Sequence, residues 1–355
     1  MTDGYWDAII AGQGLAGTTL AWHLHEAGWR VLLIDADDAV TSSKIAAGLI
    51  TPITGQRLVL TPKCEEYLPV AQSFYSRIEN RTGRRFFHER RSLRLFSSEE
   101  EQERWMRRRD QPLLQSFLAN SQSAPLLDPD LGDASFSGFE MKGAQLDVAS
   151  YLAASRSALP CVSMRLDWRR DAVMGENEVA VRGYRAGLVI SCEGYAAAQN
   201  PYFGAVPFIA AKGDILTLRF HRPVPAMCIH RGIWIAPTPD PDVFRVGSTY
   251  DWKNLDQVPS ASGRNEIERK LQEFFRVPYS VLDHHAAVRP IIHKAEPVIG
   301  IHPSHPRLGY FNGLGSKGVL LAPFFARCFT DSLLYRTPLP ETADLGRRFY
   351  GVARD

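Results

Sequence analysis

The chain has 355 residues, 45% hydrophobic and 23% charged, with 41 Lys and Arg against 39 Asp and Glu for a formal net charge of +2. That length exceeds one ordinary core, so two lobes are expected of an otherwise ordinary soluble, globular composition. The charge balance gives no strong case for nucleic acid or an anionic membrane as the main partner, and no stretch approaches the roughly 20 apolar residues of a membrane span.

Taken in chain order, YWDAIIA reads as a buried strand, GQGLAG as a turn, LAGTTLAWHLHEAG as an amphipathic helix stopped by Gly28, and WRVLLID as a second strand ending at Asp35. This is βαβ grammar. The first apolar run is broken too soon by Gly12 for a signal sequence. In the turn, Gly12 permits the sharp bend, Gly14 lets a pyrophosphate approach the backbone, and Gly17 allows the helix to pack closely on the strand. Leu15 and Ala16 open the helix, whose N-terminal N–H groups and partial positive charge favour a phosphate. Asp35, followed by Ala36, stands where a carboxylate holds the hydroxyls of an adenosine ribose. Together these features mark adenine dinucleotide binding without choosing between NAD and FAD. The next segment, SSKIAAGLITP, sets Ser42 and Ser43 before the small residues Ala46, Ala47 and Gly48 and then Leu49. It suits either a chain skirting a flat ring system or a small-residue helix packed on a sheet.

Further on, SSEEEQERWMRRRDQ reads as a surface helix with a capping box from Ser98 to Glu101 and favourable Glu100–Arg104 and Glu103–Arg107 spacings. Its acidic half offsets its arginines, which favours a solvated face over an RNA-binding patch. DPDLGDASFSGF after it is a loop. GLVISC is another buried strand, running through CEG to Gly194. GIWIAPTP and FRVGSTYDW are rich in β-branched and aromatic residues and predict an antiparallel sheet in a second lobe. His284–His285 and His302 with His305 lack carboxylate or cysteine partners at metal spacing and read as loop histidines, so no metal is expected. Cys64, Cys161, Cys192, Cys228 and Cys328 contain no CxxC pair, which argues against zinc or a disulfide framework and for a cytoplasmic location. Near the end, NGLGSKGVLLAP sets Gly313, Gly315 and Gly318, with Leu314, Ser316 and Lys317 between them, at the start of an apolar segment. It is a second place where bare backbone meets a helix N-terminus.

The ordered set of GxGxxG, SSKIAAGLITP, GAQLDVASYL, VISCEGY, the Lys212–Gly213 step, GSTYDW, VRPII with PVIG, and NGLGSKGVLLAP resembles the D-amino-acid oxidase family of FAD-dependent oxidoreductases. The likeness runs from Trp6 to Leu334 and is to the glycine oxidase and sarcosine oxidase branch. The ending GLGSKGVLLAP is particularly similar to the oxidase domain of the bifunctional tRNA wobble-uridine modifying enzyme. The resemblance implies an α/β protein with a Rossmann-type FAD-binding domain from 1–85, 140–205 and 287–340. A second α+β substrate domain on an antiparallel sheet would come from 86–139 and 206–286, with 341–355 as a tail. It implies that extended FAD lies with its pyrophosphate on the first glycine turn and its flavin at the second. There Gly313, Gly315 and Gly318 would offer N–H groups to the flavin N1/O2 edge. Lys317 would either add charge to that edge or be a surface lysine. Arg289 matches the arginine that clamps a substrate carboxylate. Trp234 stands where the family usually has tyrosine, which points away from the simplest amino acids, and Tyr250 is expected in the same cavity. His293 and Lys294 occupy the place of the cysteine that tethers some family flavins, so FAD is expected to be noncovalent. The implied reaction is oxidation of a C–N bond of an amino acid or secondary amine with oxygen as acceptor and no certain acid or base catalyst. The rival readings are a tRNA wobble-uridine oxidase, which normally carries a methyltransferase partner domain, a flavin monooxygenase or dehydrogenase using another acceptor, and a non-catalytic dinucleotide-binding protein.

Overall fold

The computed structural model describes residues 4–352 except 56, 120–127, 133–136 and 294–295, so Lys294 and part of the expected loop after Asp128 lie outside the described residues. The opening unit is β1 (Trp6–Ala11), α1 (Leu15–Glu26) and β2 (Val31–Asp35). In β1 and β2 the apolar runs are buried on both sides, as a parallel sheet covered on both faces requires. β1 pairs in parallel with β2 and with Tyr184–Ser191. β2 carries Cys161–Ser163 on its other side, and Tyr184–Ser191 carries His305–Asn312, both parallel. Val298–His302 closes one edge antiparallel.

The helix α1 is not amphipathic in place: Leu15 to Trp22 and Leu24 are all buried. Helix Gly318–Tyr335 covers one side, and helix Val148–Ala158 covers another, with Trp22 Nε1 donating to Ser155 Oγ at 2.8 Å. The helix is short, and neighbours on several sides override the polar positions Thr18 and Thr19, the latter bonded to Tyr151 Oη at 3.2 Å.

The second sheet has eight strands in the order Tyr279–Arg289, Ala211–Phe220, Val243–Gly247, Ile233–Pro237, Cys228–Arg231, Phe87–Leu95, Gly138–Leu146 and Leu49–Ile50. Every pair is antiparallel except Cys228–Arg231 with Phe87–Leu95, which is parallel. Side chains alternate across it. Leu216, Leu218, Ile235 and Val246 pack with Ile267 and Leu271 of helix Ala261–Gln272, while Gly213, Ile215, Gly247 and Trp234 face the opposite way into a cavity. The domain limits drawn from sequence at 140 and 287 fall inside strands Gly138–Leu146 and Tyr279–Arg289 of this sheet. Leu49–Ile50, from the first segment, joins it too.

The arginine-rich segment forms helix Glu99–Met106, where Ser98 Oγ accepts from Glu101 N at 3.2 Å. Its carboxylate does not return to Ser98 N but accepts from Ser97 N at 2.6 Å, and Glu101 and Trp105 are buried. So one face is internal, and only the opposite one carries exposed pairs such as Glu103–Arg107. The histidines sit on strands rather than loops. His284 Nε2 meets Asp214 Oδ1 at 2.8 Å, and His302 Nε2 meets Tyr202 O at 3.1 Å. Among the described residues no group of three His, Cys, Asp or Glu could hold a metal, and no helix is long and apolar enough to cross a membrane.

Candidate active site

A cavity of about 590 Å³ is lined from both sheets. At one end lies the first glycine turn. Gly12 has φ +104°, and a Cβ there would lie 2.5 Å from Cys192 O. A Cβ at Gly17 would lie 1.9 Å from Gly12 O, so only glycine lets α1 begin this close to the turn. The Asp35 carboxylate is fixed by Gln13 N at 2.7 Å and Asp37 N at 2.8 Å, which ties the end of β2 to the turn. Residues 42–45 form a turn, not a helix, and Ser43 Oγ accepts from Leu15 N at 3.1 Å, at the mouth of α1. Gly48 follows with φ +71°; a Cβ on it would meet Leu146 O at 1.8 Å.

The second glycine turn closes the far end. Gly313 N donates to Asn312 Oδ1 at 2.8 Å and Gly315 N to Pro290 O at 3.2 Å, so both N–H groups are engaged within the protein. This corrects the expectation that all three glycines present N–H groups to a ligand. Gly318 and Val319, in the first helical turn, lack intrahelical acceptors by geometry and line the cavity. Lys317 is not a solvated surface lysine. It lines the cavity, its Nζ donates to Thr61 Oγ1 at 3.1 Å, and burial pulls its pKa down. The two turns adjoin: a Cβ on Gly318 would stand 3.1 Å from Leu15 Cδ1.

Most of the residues singled out from sequence line this one cavity: Gly12, Gly14, Leu15, Ala16, Asp35, Ser42, Ser43, Ala47, Gly48, Leu49, Gly194, Leu314, Gly315, Ser316, Lys317, Gly318, Trp234, Tyr250 and Arg289. Three do not. Gly17 and Gly313 act behind the lining through close packing, and Ala36 is exposed beyond Asp35. Two helix N-termini, a backbone-fixed carboxylate and glycines where any Cβ would collide suit an extended dinucleotide.

On the second sheet, Arg289 ends strand Tyr279–Arg289 and reaches across Gly213, where a Cβ would lie 2.0 Å from its Nη2. Its guanidinium donates to Ser248 Oγ at 2.6 Å and Thr249 O at 3.2 Å and stands 4.3 Å over the Tyr250 ring. Thr249 is itself held by Asp214, through Asp214 N to Thr249 Oγ1 at 2.9 Å. Burial lowers the Arg289 pKa from its ordinary value. The half-buried guanidinium thus makes its hydrogen bonds to neutral acceptors, while the Asp214 carboxylate acts on it through space and offsets part of the burial effect.

The family model DAO, FAD dependent oxidoreductase, matches residues 7–332. The chain belongs to this family. It is an FAD-dependent oxidoreductase, and the expected α/β architecture and cofactor stand. Among curated proteins, the oxidoreductase is similar to the glycine oxidase of Pseudomonas putida, 23% identical over 358 residues covering 94% of this chain and 96% of that one. Among solved structures, glycine oxidase from Geobacillus kaustophilus superposes with a TM-score of 0.76 at 18% identity, over 94% of this chain and 95% of that one. Iminodiacetate oxidase from Chelativorans sp. BNC1 does so at 0.74 and 18%, over 95% and 98%. At these identities the structures speak for the fold.

Sequence reasoning missed several lining residues of the oxidoreductase. Glu193, inside VISCEGY, is one of them. It accepts from Ser191 Oγ at 2.7 Å and Trp168 Nε1 at 2.8 Å, and burial raises its pKa, which softens a negative charge beside the first glycine turn. Thr61, Arg94 and His230 carried no motif at all. Arg94 could have been noticed as a charge alternating with Leu93 and Leu95 on a strand, but not what it faces.

Proposed function

We propose that this oxidoreductase oxidises the C–N bond of a carboxylate-bearing amine, with the carboxylate clamped by Arg289. The observation that carries the reading is the half-buried Arg289 guanidinium, held by the neutral Ser248 Oγ and Thr249 O inside the cavity that also contains both glycine turns. Gly12, Gly14, Asp35 and Ser43 would hold the adenosine diphosphate half of FAD, and Ala47, Gly48, Leu49 and the turn from Leu314 to Gly318 its flavin half. When bound, FAD supplies the two-electron acceptor that takes hydride from the substrate carbon, leaving an imine that water hydrolyses. Arg289 fixes the carboxylate and so the direction of the reacting C–H, while Trp234, packed on Ile45, Ile215 and Ala287, keeps water from that face. The positive end of helix Gly318–Tyr335 and Lys317 favour negative charge at the flavin end. No side chain need act as an acid or base.

Oxygen is the proposed final acceptor, in keeping with the oxidases among its relatives, and a reducing, cytoplasmic location accords with five unpaired cysteines. The proposed substrate is a small amine rather than tRNA, because the proposed anion receptor is one half-buried guanidinium lining a cavity of about 590 Å³ rather than an extended basic surface.

The test is the rate of anaerobic flavin bleaching over a range of amine concentrations. Arg289→Ala should lose about 2–5 kcal/mol of affinity for carboxylate substrates or inhibitors. Arg289→Lys should recover only part, since a point charge cannot reproduce the bidentate fork. Trp234→Tyr should move preference toward glycine or sarcosine. Unchanged affinity of Arg289→Ala for every carboxylate-bearing amine would reject the reading. Acid precipitation should leave the yellow colour in the supernatant, as a noncovalent flavin requires.

A further inference from the structure

Five residues form a row across the cavity face of the second sheet. Ile215 is paired with Gly247, Gly247 with Trp234, Trp234 with His230, and His230 with Arg94. All five line the cavity. The Arg289 guanidinium reaches Ser248, next to Gly247, so it stands about two strand spacings, roughly 10 Å, from His230 along this row. The indole of Trp234 leans over the interval, with Cζ2 3.1 Å from where a Gly247 Cβ would be.

The far end of the row is polar and incompletely bonded. His230 is 9% exposed, and its Nε2 has no hydrogen-bond partner among the described residues; the same is true of Arg94 Nε. Buried polar atoms left unpaired are costly, and such atoms in a native cavity call for a ligand or an ordered water. The pair carries no net charge. Arg94 Nη2 donates to Glu101 Oε1 at 2.5 Å, so its charge is matched. His230 is neutral, its pKa brought down to about 3 by burial and then by Arg94.

We propose that Arg94 and His230 form a second anchor in this cavity, which hydrogen-bonds an uncharged acceptor, such as a carboxamide, on the far end of the substrate. This rests on Arg289 being the carboxylate site. The substrate is then an amine with a carboxylate at one end and a neutral polar group at the other, with Trp234 covering the link between them. A second carboxylate suits the far end less well, because Glu101 already matches Arg94.

The test is isothermal titration calorimetry of the FAD-bound protein with non-reacting acids. The ligands are the half-amides of succinic, glutaric and adipic acid, the straight-chain monocarboxylates of matching length, and glutarate. At least one half-amide should bind about tenfold more tightly than its methyl-ended counterpart and more tightly than glutarate. His230→Leu should abolish that preference while leaving the alkyl acids unaffected. Arg94→Lys, which keeps the charge opposite Glu101 but removes Nε, should reduce it. The anchor is refuted if alkyl acids bind and half-amides bind no better, or if the preference survives in His230→Leu. It is also refuted if His230→Leu weakens FAD binding and leaves the preference intact, since the pair would then belong to the cofactor. If no carboxylate of any kind binds, the Arg289 reading falls with it.

Discussion

Glycine at a single position does quite different things in this cavity, and substitution separates them. At Gly213 the nearest atoms an added Cβ meets belong to the far end of the flexible Arg289 side chain, so Gly213→Ala should leave fold and FAD content intact while displacing the guanidinium. Its affinity for carboxylate ligands should fall nearly as far as in Arg289→Ala, measured by calorimetry on the yellow protein. At Gly48 the obstacle is the Leu146 carbonyl at 1.8 Å, in a backbone with φ +71°. Gly48→Ala should therefore destabilise by roughly 2 kcal/mol or more and lower FAD retention, checked by urea unfolding and by the ratio of visible to ultraviolet absorbance. The glycines of the two turns were legible because their requirement is local. Gly213 was legible only as part of a resemblance, since the side chain it admits belongs to a strand paired by tertiary structure.

Among the elements, helix Glu99–Met106 shows where local signals suffice and where they stop. The Ser98 cap is a relation between neighbours in sequence and forms as written. Ser98→Ala should cost about 1 kcal/mol in urea unfolding. The sequence could not say that Glu101 turns inward to Ser97 and Arg94, nor that Trp105 stacks on Phe139 at 3.8 Å. The first two contacts reach back to the strand before the helix, and the stacking waits for a strand that arrives later in the chain. The same limit applies to α1, whose pattern suggested one wet face but whose neighbours cover nearly all of it. It applies also to His230 and Arg94, which meet because two distant strands pair in parallel.

On the scale of the whole molecule, the order of motifs made the two-lobed α/β plan readable, whereas the exchange of strands between lobes was not. Leu49–Ile50 crosses to the second sheet through pairing that no local periodicity records. The assembled protein also has an acid sensitivity built from buried histidines. His23 stacks on Phe74 and has its pKa lowered to about 4 by burial and by Arg77, and that of His230 falls to about 3. Both are neutral when folded, but in the unfolded chain they bind protons below about pH 6.5. Their contribution is therefore present above pH 6.5 and is lost as pH falls toward 4 and 3. Each should cost about 2 kcal/mol between pH 7 and pH 5. Urea midpoints of the FAD-saturated protein at the two pH values should show the loss, and His23→Gln should narrow the gap.

The contact of Leu15 with Gly318 bears on how the molecule is born. The first glycine turn leaves the ribosome early, but the helix that covers α1 and completes the far end of the cradle is among the last segments made. Until then α1 shows apolar surface to water, and the growing chain has only half a grip on a dinucleotide. Riboflavin supplied to an expressing culture should therefore raise the yield of full-length protein, by trapping chains that have just closed. It should do nothing for fragments ending before Gly313, which lack the helix that completes the cradle.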